Sequence, residues 1–258
     1  MRAPGPPRVT VFPNDRAAAR ALANRIADAL AENPRLVLGL PTGRTPVRLY
    51  HELASLYAHG RANFGEATTF NLDEFLGLPP DHPGSYRSFM TTHLFSRVNL
   101  RPERIHILNG AAPDPVRECA RYEKAIAAAG GIDVQILGVG TNGHIGFNEP
   151  ARELQARTHR VTLKPETRRA NAALFGGDPS AVPAEALSMG MATILQARSI
   201  VLLATGRTKA PTVASLVYGP IACELPASFL QLHHDVQVML DEPAAAGLPA
   251  PGDTRDAD

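Results

Sequence analysis

The sequence predicts an α/β fold: a single domain in three layers, αβα, built on a mostly parallel, Rossmann-like sheet and carrying a lid segment. Three observations predict it. Short apolar runs alternate with helix-length segments along most of the 258 residues, and strands separated in this way pair in parallel through right-handed helical crossovers. No long linker or internal repeat divides the chain, and α/β folds often reach this length as one unit. Four loops with reactive or ligand-binding side chains directly follow four of the apolar runs, which is where open parallel sheets bind their ligands.

The elements follow in order. A short β-branched run at 9–12 reads as a strand, and an Ala-rich helix covers 15–31 with Asn14 as its cap. Ala loses no side-chain entropy in a helix, and an Asn side chain satisfies a free first-turn N–H. A strand at 36–40 leads to a helix at 46–57 that Pro46 opens, its missing N–H being harmless in a first turn. A strand at 68–71, a helix at 86–98, a strand at 105–108, a helix at 115–129 and a strand at 132–137 continue the alternation. After a less regular stretch the pattern resumes with a helix at 186–195, a strand at 200–204, a helix at 209–217 and a last strand at 236–240. The irregular segment 154–182, with Gly176 and Gly177, reads as the lid. The domain is expected over 1–243. Residues 244–258 mix Ala, Pro, Gly and Asp without period and read as a disordered tail.

Composition narrows the function. A formal charge of +1 and 44% hydrophobic residues give no basic field for nucleic acid and no charge block for a membrane surface. No run approaches the roughly 18 apolar residues of a membrane span, and the proline-rich start holds no signal-peptide core. Cys119 and Cys223 lie far apart without CxxC spacing, which favours buried thiols in a reducing compartment. The protein is expected to be cytoplasmic and to act on small ligands.

The loop after the 132–137 strand carries the most chemistry. It reads Gly138-Val139-Gly140-Thr141-Asn142-Gly143-His144-Ile145-Gly146-Phe147-Asn148-Glu149-Pro150, with an imidazole, an amide and an acid on one glycine-rich turn. Gly138, Gly140 and Gly143 have the spacing of a dinucleotide fingerprint. That fingerprint needs a helix to open at its third glycine, and Gly146 and Pro150 argue against one. A nicotinamide or flavin site is therefore not expected. The glycines instead let backbone N–H groups turn toward an anionic or hydroxyl-rich ligand. His144 can move protons near neutral pH, and Glu149 can orient its ring and set its tautomer.

The turn of Thr42, Gly43, Arg44 and Thr45 opens a helix, where free N–H groups and the helix dipole make a phosphate seat. It lacks the Gly-Lys-Ser/Thr ending of a nucleotide triphosphate loop. Lys209, at another helix start on the same rim, can add a point charge. Asp73 and Glu74 follow the 68–71 strand, and a carboxylate there can be desolvated enough to act as a base near neutral pH. An anion seat, a carboxylate base and a His–acid pair together suit proton transfer on a phosphorylated sugar, such as an aldose–ketose isomerisation. No nucleophilic Ser or Cys stands out, no histidines have metal-ligand spacing, and neither metal nor cofactor is expected.

Five motifs then fall in register. They are Leu38-Gly39-Leu40-Pro41-Thr42-Gly43-x-Thr45-Pro46, Asn71-Leu72-Asp73-Glu74-Phe75-x-Gly77-Leu78, His82-Pro83-x-Ser85-Tyr86-x-Ser88-Phe89-Met90, the His144 loop, and Asp241-Glu242-Pro243. In order and spacing they resemble the glucosamine-6-phosphate deaminases, over roughly residues 9–243. The resemblance implies conversion of glucosamine 6-phosphate and water to fructose 6-phosphate and ammonia, in amino-sugar metabolism, without a cofactor. It implies that Asp73 takes the proton from C2 and returns it at C1, and that His144 opens the pyranose ring, assisted by Glu149. Asn142 falls where some members have Asp, and would orient His144. Lys209 and the Thr42, Gly43, Arg44, Thr45 turn match phosphate contacts.

Departures accompany the match. The family's phosphate arginine lies in a motif resembling Asn-x-Arg-Phe-Phe, where this chain reads Asn171-Ala172-Ala173-Leu174-Phe175. Arg44 is one replacement, and Arg168 or Arg169 another. Allosterically activated members bind N-acetylglucosamine 6-phosphate through basic and hydroxyl groups after the Glu-Pro pair. The basic pair does not align in this chain, so no such activation is expected. Galactosamine 6-phosphate is the alternative substrate, because no motif reads the C4 hydroxyl. A 6-phosphogluconolactonase shares the Gly-His loop but continues it differently, and a sugar-phosphate sensor would carry a helix-turn-helix, for which there is no room before residue 9. Monomer and homo-oligomer both stay open.

Overall fold

The computed structural model describes residues 7–249. Strand β1 (Arg8–Phe12) leads into helix α1 (Asp15–Glu32), whose Asn14 cap accepts from the Ala17 N–H at 2.9 Å. There follow β2 (Val37–Leu40), α2 (Arg44–Ala58), β3 (Thr68–Asn71), β4 (Asp73–Phe75), α3 (Tyr86–His93), β5 (Ile105–His106), α4 (Pro115–Ala128) and β6 (Val134–Leu137). The remainder comprises β7 (His159–Thr162), α5 (Pro165–Asn171), β8 (Glu185–Ser188), α6 (Met191–Leu195), β9 (Ser199–Ala204), α7 (Ala210–Tyr218), β10 (Val236–Asp241) and α8 (Glu242–Ala245).

Seven strands form one sheet in the order β1-β10-β9-β6-β2-β3-β5, every neighbouring pair parallel. One face packs on α1, α2 and α3 through Leu22, Ile26, Leu49, Leu53 and Met90. The other packs on α4, α6 and α7 through Tyr122, Ile126, Ile194, Val213 and Leu216. The three layers are thus as the sequence predicts. From β2 the chain steps outward to β3 and β5. From β6 it steps the opposite way to β9 and β10. The order therefore reverses between the neighbours β2 and β6, and a crevice opens beyond their carboxyl ends, where such sheets bind ligands.

A second sheet, β4-β8-β7, is antiparallel and was not predicted. It closes over a cluster that includes Phe75, Tyr86, Phe147, Leu163 and Val182. The predicted helix at 186–195 is corrected accordingly: Glu185–Ser188 is strand β8, and only Met191–Leu195 is helical. Gly190 separates the two, its Cα pressed so close to Ala156 and Arg157 that a β-carbon would fall 2.3 Å from the Arg157 carbonyl oxygen. The helix predicted at 86–98 ends at His93, with a 3₁₀ turn at Phe95–Arg97. Helix α2 begins at Arg44, two residues before Pro46, which still lies in the first turn where its missing N–H leaves no gap. The disordered tail predicted from residue 244 does not begin there. Ala244 is fully buried, and the Asp241 side chain caps α8 by accepting from the Ala244 N–H at 2.9 Å. The rest of that tail, 250–258, lies outside the described residues.

Candidate active site

Asp73 stands two residues past the end of β3, at the start of β4, and pairs across the small sheet with Ser188. It is buried, and its Oδ1 has no hydrogen-bond partner. Burial first, and the neighbouring Glu74 charge second, push its pKa up to about 8. The buried tyrosines Tyr50, Tyr86 and Tyr122 all have hydroxyl pKa values raised, mainly by burial and further by the Asp73 charge. Such a carboxyl is a base held in reserve. Glu74 is different in kind. It accepts from the N–H groups of Phe75, Tyr86 and Arg87 at 2.9, 2.8 and 3.0 Å, and so anchors the start of α3.

The loop after β6 brings the imidazole to the same rim. His144 Nδ1 lies 2.7 Å from Asn142 Oδ1, and the Asn142 amide donates to Glu149 Oε2 at 3.1 Å. The acid itself is 3.8 Å from His144 Nδ1. Because Asn142 offers Nδ1 an oxygen, that nitrogen carries the proton and Nε2 keeps the free lone pair. Burial lowers the His144 pKa, the Glu149 charge opposes that shift, and Lys209 adds to it. Two glycines make the geometry possible. A β-carbon on Gly140 would sit 2.3 Å from His144 Cε1, inside the ring's own space. Gly146 has φ 57°, and a β-carbon there would fall 3.6 Å from the Asp73 carboxylate. The loop backbone therefore passes directly beside the base.

At the end of β2, Gly43 takes φ 99° and starts α2 without a side-chain cap, which leaves the first-turn N–H groups free of a side-chain acceptor. Thr42 and Thr45 are half-buried on this turn, and Arg44 is exposed. Lys209 closes the 3₁₀ turn Arg207–Lys209 before α7, and its pKa is lowered by burial and then by Arg44. Neither cation is in an ion pair among the described residues, and two such charges beside free helix N–H groups suit an anionic ligand. Arg168 and Arg169 do not join them. Arg168 donates to the carbonyls of Val182 and Ser180, each at 3.0 Å, and Arg169 pairs with Glu166 at 3.1 Å. Arg44 remains.

Three further side chains join the site without having been singled out. The Tyr86 hydroxyl donates to Asn171 Oδ1 at 3.0 Å, which ties the start of α3 to the end of α5. Thr167, on α5, donates to Glu149 Oε1. Tyr86 lies within a motif already quoted, and Asn171 opens the altered arginine motif. Thr167 had no such signal, because it sits in the stretch without a clear period. Among the described residues no group of three or more His, Cys, Asp or Glu is placed to hold a metal ion, and no helix is long and apolar enough to cross a membrane.

Residues 15–239 match the family model of glucosamine-6-phosphate isomerases and 6-phosphogluconolactonases. The chain belongs to that family. It is 47% identical over 241 residues to a glucosamine-6-phosphate deaminase of Halothermothrix orenii, covering 93% of this chain and 100% of the relative. It is 51% identical over 213 residues to glucosamine-6-phosphate deaminase 2 of Bacillus subtilis, covering 82% and 86%. Among solved structures it resembles a monomeric glucosamine-6-phosphate deaminase with a TM-score of 0.90 at 42% identity, covering 93% of this chain and 99% of that one. A 6-phosphogluconolactonase of Trypanosoma cruzi has a TM-score of 0.76 at 21% identity, covering 97% and 100%, a likeness of fold alone.

Proposed function

We propose that the chain deaminates glucosamine 6-phosphate, yielding fructose 6-phosphate and ammonia. The observation that carries the reading is the buried Asp73 carboxyl, pushed up to about 8 and with an unpartnered oxygen, on one rim with the His144–Asn142–Glu149 relay. Identity of 47% to a deaminase along nearly the whole chain supports it.

The phosphate sits on the free N–H groups opening α2, against Lys209 and Arg44. His144 takes the O1 proton through its free Nε2 and delivers it to the ring oxygen, which opens the pyranose to the aldehyde. Glu149 and Asn142 hold the ring in that tautomer and balance the transient imidazolium. Asp73, ionised once the substrate's ammonium is near, removes the C2 proton while the ammonium gives up one of its own protons to O1, which leaves the neutral enolamine. Asp73 returns its proton to C1, leaving an iminium at C2. Water adds there, ammonia departs, and the ketone remains. The substrate's own carbonyl and nitrogen supply the electron sink, so no cofactor takes part in these steps.

The test is ammonia release from glucosamine 6-phosphate, galactosamine 6-phosphate and unphosphorylated glucosamine, with Arg44→Ala as a fourth arm. Glucosamine 6-phosphate is the expected substrate. Losing one charged hydrogen bond to phosphate should raise KM in Arg44→Ala by about ten- to a hundredfold. Release from none of the three sugars overturns the reading, and preference for galactosamine 6-phosphate reassigns the substrate.

A further inference from the structure

We propose that Thr167 is a positioning residue for ring opening, its hydroxyl fixing Glu149 in the one orientation that holds His144. The proposal deepens the deaminase reading and rests on it. Glu149 is buried, 7% exposed, and no cation pairs with it among the described residues other than His144 when protonated. A buried carboxylate in that position depends on hydrogen bonds to stay where it is. Its two oxygens are held from opposite sides. Oε2 accepts from Asn142, within the catalytic loop, and Oε1 accepts from Thr167, on α5. The terminal torsion of Glu is soft and roughly two-fold, so a single partner does not define the plane of the carboxylate. Two partners do. With Thr167 in place, Oε2 faces Asn142 and lies 3.8 Å from His144 Nδ1.

Thr167 is itself 2% exposed, and α5 is docked independently of Glu149. One turn farther along the same helix, Asn171 donates to the Thr167 carbonyl at 2.9 Å and accepts from the Tyr86 hydroxyl at 3.0 Å. Arg168 fastens the helix to the carbonyls of Val182 and Ser180. The lid segment thus reaches the site at two points of one helical face. Asn171 meets Tyr86 at the start of α3, and Thr167 meets the acid beside His144. The ring-opening relay is complete only while α5 is seated, which couples exclusion of water by the lid to readiness of the imidazole.

The experiment compares wild type, Thr167→Val and Thr167→Ser in the full chain. Val keeps the shape and the buried methyl but removes the donor. Ser keeps the donor. Steady-state ammonia release from glucosamine 6-phosphate should show kcat reduced about ten- to a hundredfold in Thr167→Val, KM within about twofold, and recovery to within a few-fold of wild type in Thr167→Ser. Affinity for the open-chain amino-alditol phosphate, which needs no ring opening, should be unchanged in all three. Unimpaired kcat in Thr167→Val overturns the assignment. So does an equal loss in Thr167→Ser, or a parallel loss of alditol affinity, since either makes Thr167 a general packing residue. Wild type that releases no ammonia overturns the deaminase reading instead, and this proposal with it.

Discussion

At Asp73 the fold works against the charge that the chemistry needs. Burial and Glu74 raise the carboxyl from its ordinary value to about 8, so in the free protein at neutral pH it is mostly protonated. The consequence for stability has a definite sign. The unfolded carboxyl loses its proton near pH 4 and the folded one near 8, so between those values the folded chain binds more protons and stability falls as pH rises. Asp73→Asn removes that penalty. The variant should lose about 10²–10⁴ in kcat yet melt higher than wild type, with the gap widening from pH 5 to pH 8.5 in thermal scans. A gap independent of pH would mean that Asp73 ionises normally. In kinetics, kcat/KM reports the free enzyme, so its acid limb should extend to about pH 8. The limb in kcat should lie lower, because the bound ammonium favours the carboxylate.

On the level of elements, the parallel sheet was legible because most of its strands are apolar runs and most of its crossovers carry a helix with a recognisable start, such as Asn14 before α1 or Pro46 in the first turn of α2. The antiparallel sheet was not. Its strands are three or four residues long, β7 reads His-Arg-Val-Thr with half-exposed sides, and Ala186-Leu187 is followed, past Gly190, by a helical pattern that ends at Leu195. Only contacts distant in sequence, with Asp73 and His159 both opposite Ser188, decide the matter. The same distinction governs the site. Asn142, His144 and Glu149 lie on one loop and could be read together. Thr167 meets Glu149 only through the docking of α5, which no local pattern announces. The loop's own shape makes a further prediction. Gly140→Ala should drive the His144 ring off its position while leaving Asp73 and the phosphate seat intact. A displacement of about 1 Å at a reacting group costs on the order of 10²-fold in rate. Single-turnover kinetics should therefore show kcat falling by that order with substrate affinity little changed, and a matching collapse in affinity would place the damage elsewhere.

Across the whole molecule, the chain-order reversal between β2 and β6 gathers the phosphate turn and the His144 loop, and the step from β3 into β4 adds Asp73 from the side. The candidate groups thus come from both sheets, and a response to a distant ligand would have to move the segment behind Glu149. That segment surrounds a cavity of ≈ 300 Å³ lined by Glu149, Glu153, His159, Arg160 and Lys164 among others. The arginine and lysine that line it already have partners: Arg160 makes two bonds to Glu185, and Lys164 donates to the Pro150 carbonyl. A phosphate entering here would have to break these bonds to gain a partner. We expect hyperbolic kinetics that N-acetylglucosamine 6-phosphate leaves unchanged except as a competitor at the active site. Initial rates over a range of substrate, with and without that compound, decide it: sigmoidal curves that it straightens would show that Arg160 exchanges Glu185 for the effector, and Glu185→Gln would then shift the midpoint.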